Sequence, residues 1–163
     1  MYSRAIVQDR WRRLRVLNLR RVMNIVWLVI GFRKRKMVEG VMPMALSLEP
    51  TTSCNLRCPE CISGLRGFSR PTGMIELDMV KNIMAQMGEW LVYVNLYFQG
   101  EPYLHKGMDD LVKECKRNGV YTSTSTNAHH LNPSRAKELV ASGLDRLIIS
   151  IDGTTQETYS AYR

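Results

Sequence analysis

Cys54, Cys58 and Cys61 stand in a C-x3-C-x2-C spacing, directly after a short alternating stretch, Ala45-Leu46-Ser47-Leu48-Glu49, that Pro50 closes. Three thiols in one short loop are soft ligands, suited to an iron–sulfur cluster or to zinc. A four-iron cluster held by only three cysteines keeps one iron without a protein ligand. That iron is open to a substrate or a cofactor, which is a chemical reason for three thiols rather than four.

Two other chemistries use the same residues. A structural zinc site would take His129 or His130 as its fourth ligand, although zinc favours paired C-x2-C knuckles. Thiol–disulfide exchange through Cys58-Pro59-Glu60-Cys61 is the third reading. It leaves Cys54 without a role and predicts a helix from Cys58, where Ser63, Gly64 and Gly67 argue for loop. With no convincing secretory signal, clustered thiols point to metal or redox chemistry in a reducing compartment, the cytoplasm, rather than to a disulfide framework.

The elements that must position the loop read as alternating strands and helices from residue 41 onward. The first strand is Ala45–Glu49. A helix follows from about Glu76 to Met87, with Met79, Val80, Ile83, Met84 and Met87 on one face and Gly88 as its stop. Leu91–Phe98 is almost continuously apolar and aromatic, as a strand covered on both faces should be. The next helix, near Met108–Asn118, carries Met108, Leu111, Val112 and Cys115 at i, i+3, i+4 and i+7, which makes Cys115 a core residue rather than a ligand. Val120–Ser125 is the third strand. Asn132-Pro133 starts a helix that ends at Gly143, Arg146–Ile151 is the fourth strand, and Thr154-Thr155-Gln156-Glu157 has capping-box spacing for one more helix.

This pattern predicts an α/β fold: the first four units of a partial (β/α)6 TIM-like barrel, truncated after the fourth strand. Residues 41–163 would be the N-terminal part of that barrel, and residues 1–40 a basic helical extension. The extension holds eleven Lys and Arg against Asp9 and Glu39, whereas the whole chain has a net charge of +8. The domain with the cysteines is therefore close to neutral, which argues against nucleic acid as its partner. Residues 2–36 read as helical, with an apolar run Val22–Phe32 broken only by Asn24 and Gly31 and closed by Arg33-Lys34-Arg35-Lys36. The run is too short to cross a bilayer, which takes roughly 20 residues. It fits a helix packed on the domain or, alternatively, a peripheral membrane contact on anionic lipid through residues 1–36.

Ligands of parallel β/α folds collect beyond the C-terminal ends of the strands. There the sequence places the three cysteines, then Gln99-Gly100-Glu101-Pro102, then Thr124, Thr126 and Asn127 with His129 and His130, then Ser150, Asp152 and Gly153. Glu101 after a glycine suits a cationic amine. Ser150 and Asp152, two apart, would share a strand face as a hydroxyl-binding pair.

With these residues in view, the chain resembles the radical S-adenosylmethionine (radical SAM) enzymes over residues 45–163. The match lies in Thr52-Ser53-Cys54-Asn55-Leu56-Arg57-Cys58 with Cys61, in Gly100-Glu101-Pro102, and in Ser150-Ile151-Asp152-Gly153. The resemblance implies that Cys54, Cys58 and Cys61 hold a [4Fe-4S] cluster whose fourth iron binds S-adenosyl-L-methionine. It implies reductive cleavage to methionine and a 5′-deoxyadenosyl radical that abstracts hydrogen, with a one-electron reductant such as ferredoxin or flavodoxin. Gly100 and Glu101, in the motif that Pro102 completes, would hold the methionine amino group. Ser150 and Asp152 would lie near the ribose or carboxylate, Arg163 near the carboxylate, and Thr126 and Asn127 along the same cavity.

The stretch from Glu49 to Cys61 is most similar to the peptide- and protein-modifying subgroup with cysteine-rich, SPASM-type extensions, which implies a peptide or protein substrate. Glu60 departs from the aromatic residue often found before the third cysteine, and Gln99 from the first of two glycines. The alternative function is a non-catalytic iron–sulfur or cofactor-binding fragment that needs the remaining half of the barrel.

Overall fold

A computed structural model describes residues 4–163, and the side chains from Ile6 onward. Two helices come first, α1 (Arg4–Arg15) and α2 (Leu19–Lys34). The single helical reading of residues 2–36 is thus corrected to two helices, and its first two positions lie outside the described residues. The break falls where Asn18, in extended conformation, accepts a hydrogen bond from the Arg21 N–H and so caps α2. Arg35 closes α2 in the left-handed region.

The remaining elements follow in the expected order: β1 (Ala45–Ser47), α3 (Leu77–Met87), β2 (Tyr93–Asn95), α4 (Met108–Arg117), β3 (Tyr121–Thr126), α5 (Pro133–Ser142), β4 (Arg146–Ile149) and α6 (Gln156–Tyr162). The four strands pair in parallel in the order β1-β2-β3-β4. β2 and β4 are shorter than their apolar runs, although single backbone hydrogen bonds, from the Leu96 N–H to Ser123 and from the Ser150 N–H to Thr126, carry the pairing one residue further. The cap of α6 is shifted by one residue: Thr155 and Thr158, not Thr154 and Glu157, exchange the capping-box hydrogen bonds.

Helices α3, α4 and α5 lie side by side against one face of the sheet. Their apolar stripes meet Leu48, Val94, Leu96 and Val120 in one core, with Cys115 buried among them. Burial pushes the Cys115 thiol up to about 12, so it stays a protonated core residue as its spacing implied. The opposite face carries Tyr93 and Asn95 in register with Tyr121 and Ser123. The two tyrosine rings stack at 5.1 Å between centroids.

Helices α1 and α2 close the N-terminal end of the sheet, here termed the base, by polar contacts just ahead of every strand. Asn24 exchanges hydrogen bonds with the backbone of Met42 before β1. Arg21 donates to the carbonyls of Gly88 before β2 and of Asn118 and Gly119 before β3. Arg12 donates to the carbonyl of Asp145 before β4. Asp9 accepts from the Tyr121 hydroxyl, and the Arg13 guanidinium lies 5.3 Å from the Tyr121 ring centroid.

Candidate functional site

The other end of the sheet, the mouth, is built from the loops that leave the strands. After β1 the chain passes through buried Thr51 and Thr52 into the cysteine loop. Cys58 is buried, Cys54 and Cys61 are half-buried, and all three are free thiols. A tight turn brings the Cys61 N–H to the Cys58 carbonyl, and the Leu56 N–H points at the Cys54 sulfur at 3.4 Å. Gly64 packs on Cys58, where a Cβ would stand 2.6 Å from the Cys58 carbonyl oxygen. Desolvation, with the negative charge of Glu101, Cys58 and Cys61 nearby, pushes the Cys54 thiol above its usual range. Among the described residues, no three His, Cys, Asp or Glu side chains converge on one metal-ion position. A multinuclear cluster does not ask for that, since each thiolate takes a different iron.

The loop after β2 is fastened to the cysteine loop through backbone. Gly100 has φ +74°, and a Cβ there would lie 2.2 Å from the Thr51 carbonyl oxygen and 2.7 Å from that of Ser53. Only glycine admits this approach. The Glu101 N–H then donates to the Ser53 carbonyl, and the Ser63 hydroxyl bridges the Gly100 N–H (2.8 Å) and the Gln99 side-chain oxygen (3.1 Å). Ser63, read from sequence only as loop, is therefore a structural link of the site.

Glu101 is 2% exposed, and both of its oxygens are engaged. One accepts from the Thr126 hydroxyl (2.6 Å) and the Tyr103 N–H (3.1 Å), the other from the Asn127 N–H (2.8 Å). The residue expected to face a ligand amine thus also ties the end of β2 to the end of β3. Pro102 is buried in the short 3-10 turn, Pro102–Leu104, that Glu101 caps. Asn127 reaches back to Asn55 inside the cysteine loop at 2.9 Å.

Ser150 and Asp152 lie just beyond β4, and each has a different partner within the chain. The Ser150 hydroxyl is 3.1 Å from that of Ser125, while Asp152 forms an ion pair with Arg163. Arg163 in turn donates to the Cys58 sulfur at 3.6 Å and the Ser150 carbonyl at 3.5 Å. Burial works against the Arg163 charge, but Asp152 and Cys58 outweigh it and raise its pKa. His130 has its Nε2 buried, and His129 is hydrogen-bonded to the Tyr159 hydroxyl at 2.6 Å.

Below the mouth, on the face away from the helices, the Asn95 side-chain oxygen and the Ser123 hydroxyl are buried without hydrogen-bond partners. Asn95 and Ser123 are register partners, so these two atoms are neighbours on one surface. Buried polar atoms of this kind suit a ligand with polar groups of its own. Together with three uncrosslinked thiols and a basic Arg163 beside one of them, the donor set fits an iron–sulfur cluster and a hydroxylated cofactor that carries a carboxylate.

A parallel β/α sheet with its functional groups gathered at the strand C-termini is common to barrel and open-sheet enzymes, and comparison with known proteins specifies which. The family model described as the radical SAM superfamily matches residues 48–163; the chain belongs to that superfamily. It is 31% identical to the PqqA peptide cyclase of Bradyrhizobium diazoefficiens over 115 residues, 71% of this chain and 30% of that protein. It is 33% identical to the mycofactocin maturase MftC of Mycobacterium ulcerans over 122 residues, 74% of this chain and 32% of that protein. The AdoMet-dependent heme synthase of Methanosarcina barkeri is 28% identical over 121 residues, 74% of this chain and 34% of that protein.

The chain thus spans 30–34% of the length of these curated relatives. Among solved structures, Streptococcus suis SuiB bound to its precursor peptide SuiA superimposes with a TM-score of 0.63 at 19% identity, over 86% of this chain and 31% of that one. BtrN in complex with AdoMet and 2-DOIA gives 0.59 at 20% identity, over 75% of this chain and 52% of that one. Both share the fold, as the alternating elements implied.

Proposed function

We propose that this chain forms the cluster- and cofactor-binding part of an enzyme that cleaves S-adenosyl-L-methionine reductively and directs the resulting hydrogen abstraction at a peptide or protein. The observation that carries the reading is the fastening of three strand-end loops to one another around Cys54, by Gly100, Ser63, Glu101 and Asn127. A peptide substrate is supported by the kinship to a peptide cyclase and by the fold shared with a protein solved with its precursor peptide.

In this reading Cys54, Cys58 and Cys61 hold a [4Fe-4S] cluster, which supplies the electron for sulfonium cleavage when bound. The chain's own contribution is placement. Gly100 lets the β2 loop approach the cysteine loop, so that its backbone and the buried Glu101 edge the site. Arg163, basic and beside Cys58, offers a donor to a carboxylate. Asn95, Ser123 and Ser150 offer polar partners to hydroxyl groups, and Thr126 and Asn127 fix the wall between them. At the other end of the sheet the hydrogen bonds of Arg12, Arg21 and Asn24 hold the strands in place beneath the site.

Anaerobic reconstitution with iron and sulfide, followed by dithionite and S-adenosyl-L-methionine, tests this. Release of 5′-deoxyadenosine is expected from the intact enzyme. Uptake of about four irons per chain with the cofactor left whole would favour a binding fragment instead, and one zinc per chain with no charge-transfer absorption would overturn the reading.

A further inference from the structure

We infer that the outward face of α2 is a docking surface for an anionic lipid bilayer. The helix is inverted relative to a helix packed on a soluble domain. Its buried residues are Arg21, Asn24 and Gly31, whereas Leu19, Val22, Met23, Val26, Trp27 and Val29 are exposed. The contrast is large: Arg21 and Asn24 are 4% and 3% exposed, Val26 and Trp27 42% and 47%. The two interruptions of the apolar run are thus the residues that face the protein. At the helical repeat, Leu19, Val22, Met23, Val26 and Val29 fall on one side, as a continuous stripe over three turns. Single exposed apolar residues need no explanation, but a continuous stripe does.

The stripe is held rigidly. Arg21 and Asn24 anchor it by hydrogen bonds to the base, and Gly31 lets the following segment close in, a Cβ there lying 2.9 Å from Val38. Beside the stripe, Met23, Trp27, Val38, Val41 and Trp90 line a cleft of about 750 Å³. The Arg20 guanidinium lies 5.3 Å from the centre of the Trp90 ring. Indoles beside arginine suit the headgroup level of a bilayer.

Charge selects the occupant. Arg12 and Arg21 turn to the base, but Arg33, Lys34, Arg35 and Lys36 are exposed directly after the stripe. An apolar stripe that runs into four cations matches an anionic membrane surface, where each cation contributes on the order of 1 kcal/mol. Among the described residues no helix is long and apolar enough to cross a membrane, so α2 would lie in the interface. Because α2 spans the base, the mouth would then face away from the lipid. This inference does not depend on the reaction proposed above.

The test is co-sedimentation of the intact protein with vesicles of phosphatidylcholine alone or mixed with phosphatidylglycerol. Binding to the mixed vesicles, a blue shift of tryptophan emission and release by salt are expected. Two variants should each weaken it, V26E/V29E through the stripe and R33Q/K34Q/K36Q through the charge, the latter by roughly a hundredfold. Circular dichroism checks that both fold. Equal or absent binding to both vesicle types, or binding that neither variant alters, would overturn the inference. So would a lipid-free dimer that V26E/V29E dissociates, which assigns the stripe to a second copy. Shielding of Trp27 from acrylamide in vesicle-free solution, measured against W27F, would assign the stripe to the chain's own remainder and overturn it equally.

Discussion

At the base of the sheet a single cation, Arg21, gathers backbone carbonyls; at the mouth a single anion, Glu101, gathers backbone N–H groups and a hydroxyl. The arrangement follows from helix polarity. Helices of a parallel sheet end at the base, and the Gly88 and Asn118 carbonyls that accept from Arg21 belong to the C-caps of α3 and α4. Unpaired carbonyls and the negative end of the macrodipole favour a cation there. Helices begin near the mouth, where N–H groups favour carboxylates and thiolates. The buried guanidinium at the base and the buried carboxylate at the mouth are therefore two answers to one asymmetry.

The sharpest way to separate the ends is Cys58→Ala. Iron and sulfide uptake under anaerobic reconstitution should be lost, while urea unfolding, which reads the core and base, should move little. Gly100→Ala should affect both readouts, because a left-handed φ and a 2.2 Å approach to Thr51 have no room for a methyl group. A loss of roughly 2–4 kcal/mol in unfolding, with reduced iron uptake, is expected.

Arg21→Met should do the opposite to the cluster, leaving iron uptake per folded chain intact. It strands the carbonyls of Gly88, Asn118 and Gly119, and about 2–3 kcal/mol of stability should go with it. The comparison would fail if Arg21→Met emptied the mouth of iron as thoroughly as Cys58→Ala does.

The smallest effect concerns pH. Burial and the hydrogen bond to Asp9 push the Tyr121 phenol up to about 12, against about 10 in an unfolded chain. The folded state holds this proton more tightly. Its contribution to stability is full below pH of about 10 and is lost as pH rises through about 12. Alkaline difference absorbance of wild type against Tyr121→Phe should show the raised titration, and Asp9→Asn should bring it back toward the ordinary value.

The mouth was largely legible because its residues follow one another along the chain at every strand end, beginning with the cysteine spacing. Cys115 could be assigned from helical periodicity alone. The base was not legible. Arg21 and Asn24 look like flaws in an apolar helix, and the partners of Arg21 at the base lie 67 to 98 residues away. Ser63 was missed for a related reason: a serine in a glycine-rich loop has no local signal, and its hydroxyl is spoken for by Gly100 and Gln99 of another loop. The ion pair of Asp152 was not legible because strand alternation says which face a residue would share, not that the strand has ended at Ile149 or that Arg163 waits across the turn.

The strand order bears on how the chain emerges from the ribosome. Each strand after the first finds its neighbour already synthesised, so the sheet can grow by addition at one edge. Arg21 has no such luck: its last acceptor, Gly119, is translated 98 residues later. Until then the inverted helix has only its earlier partners, Met42 and then Gly88, and its apolar side is the first greasy surface that a nascent-chain chaperone would meet.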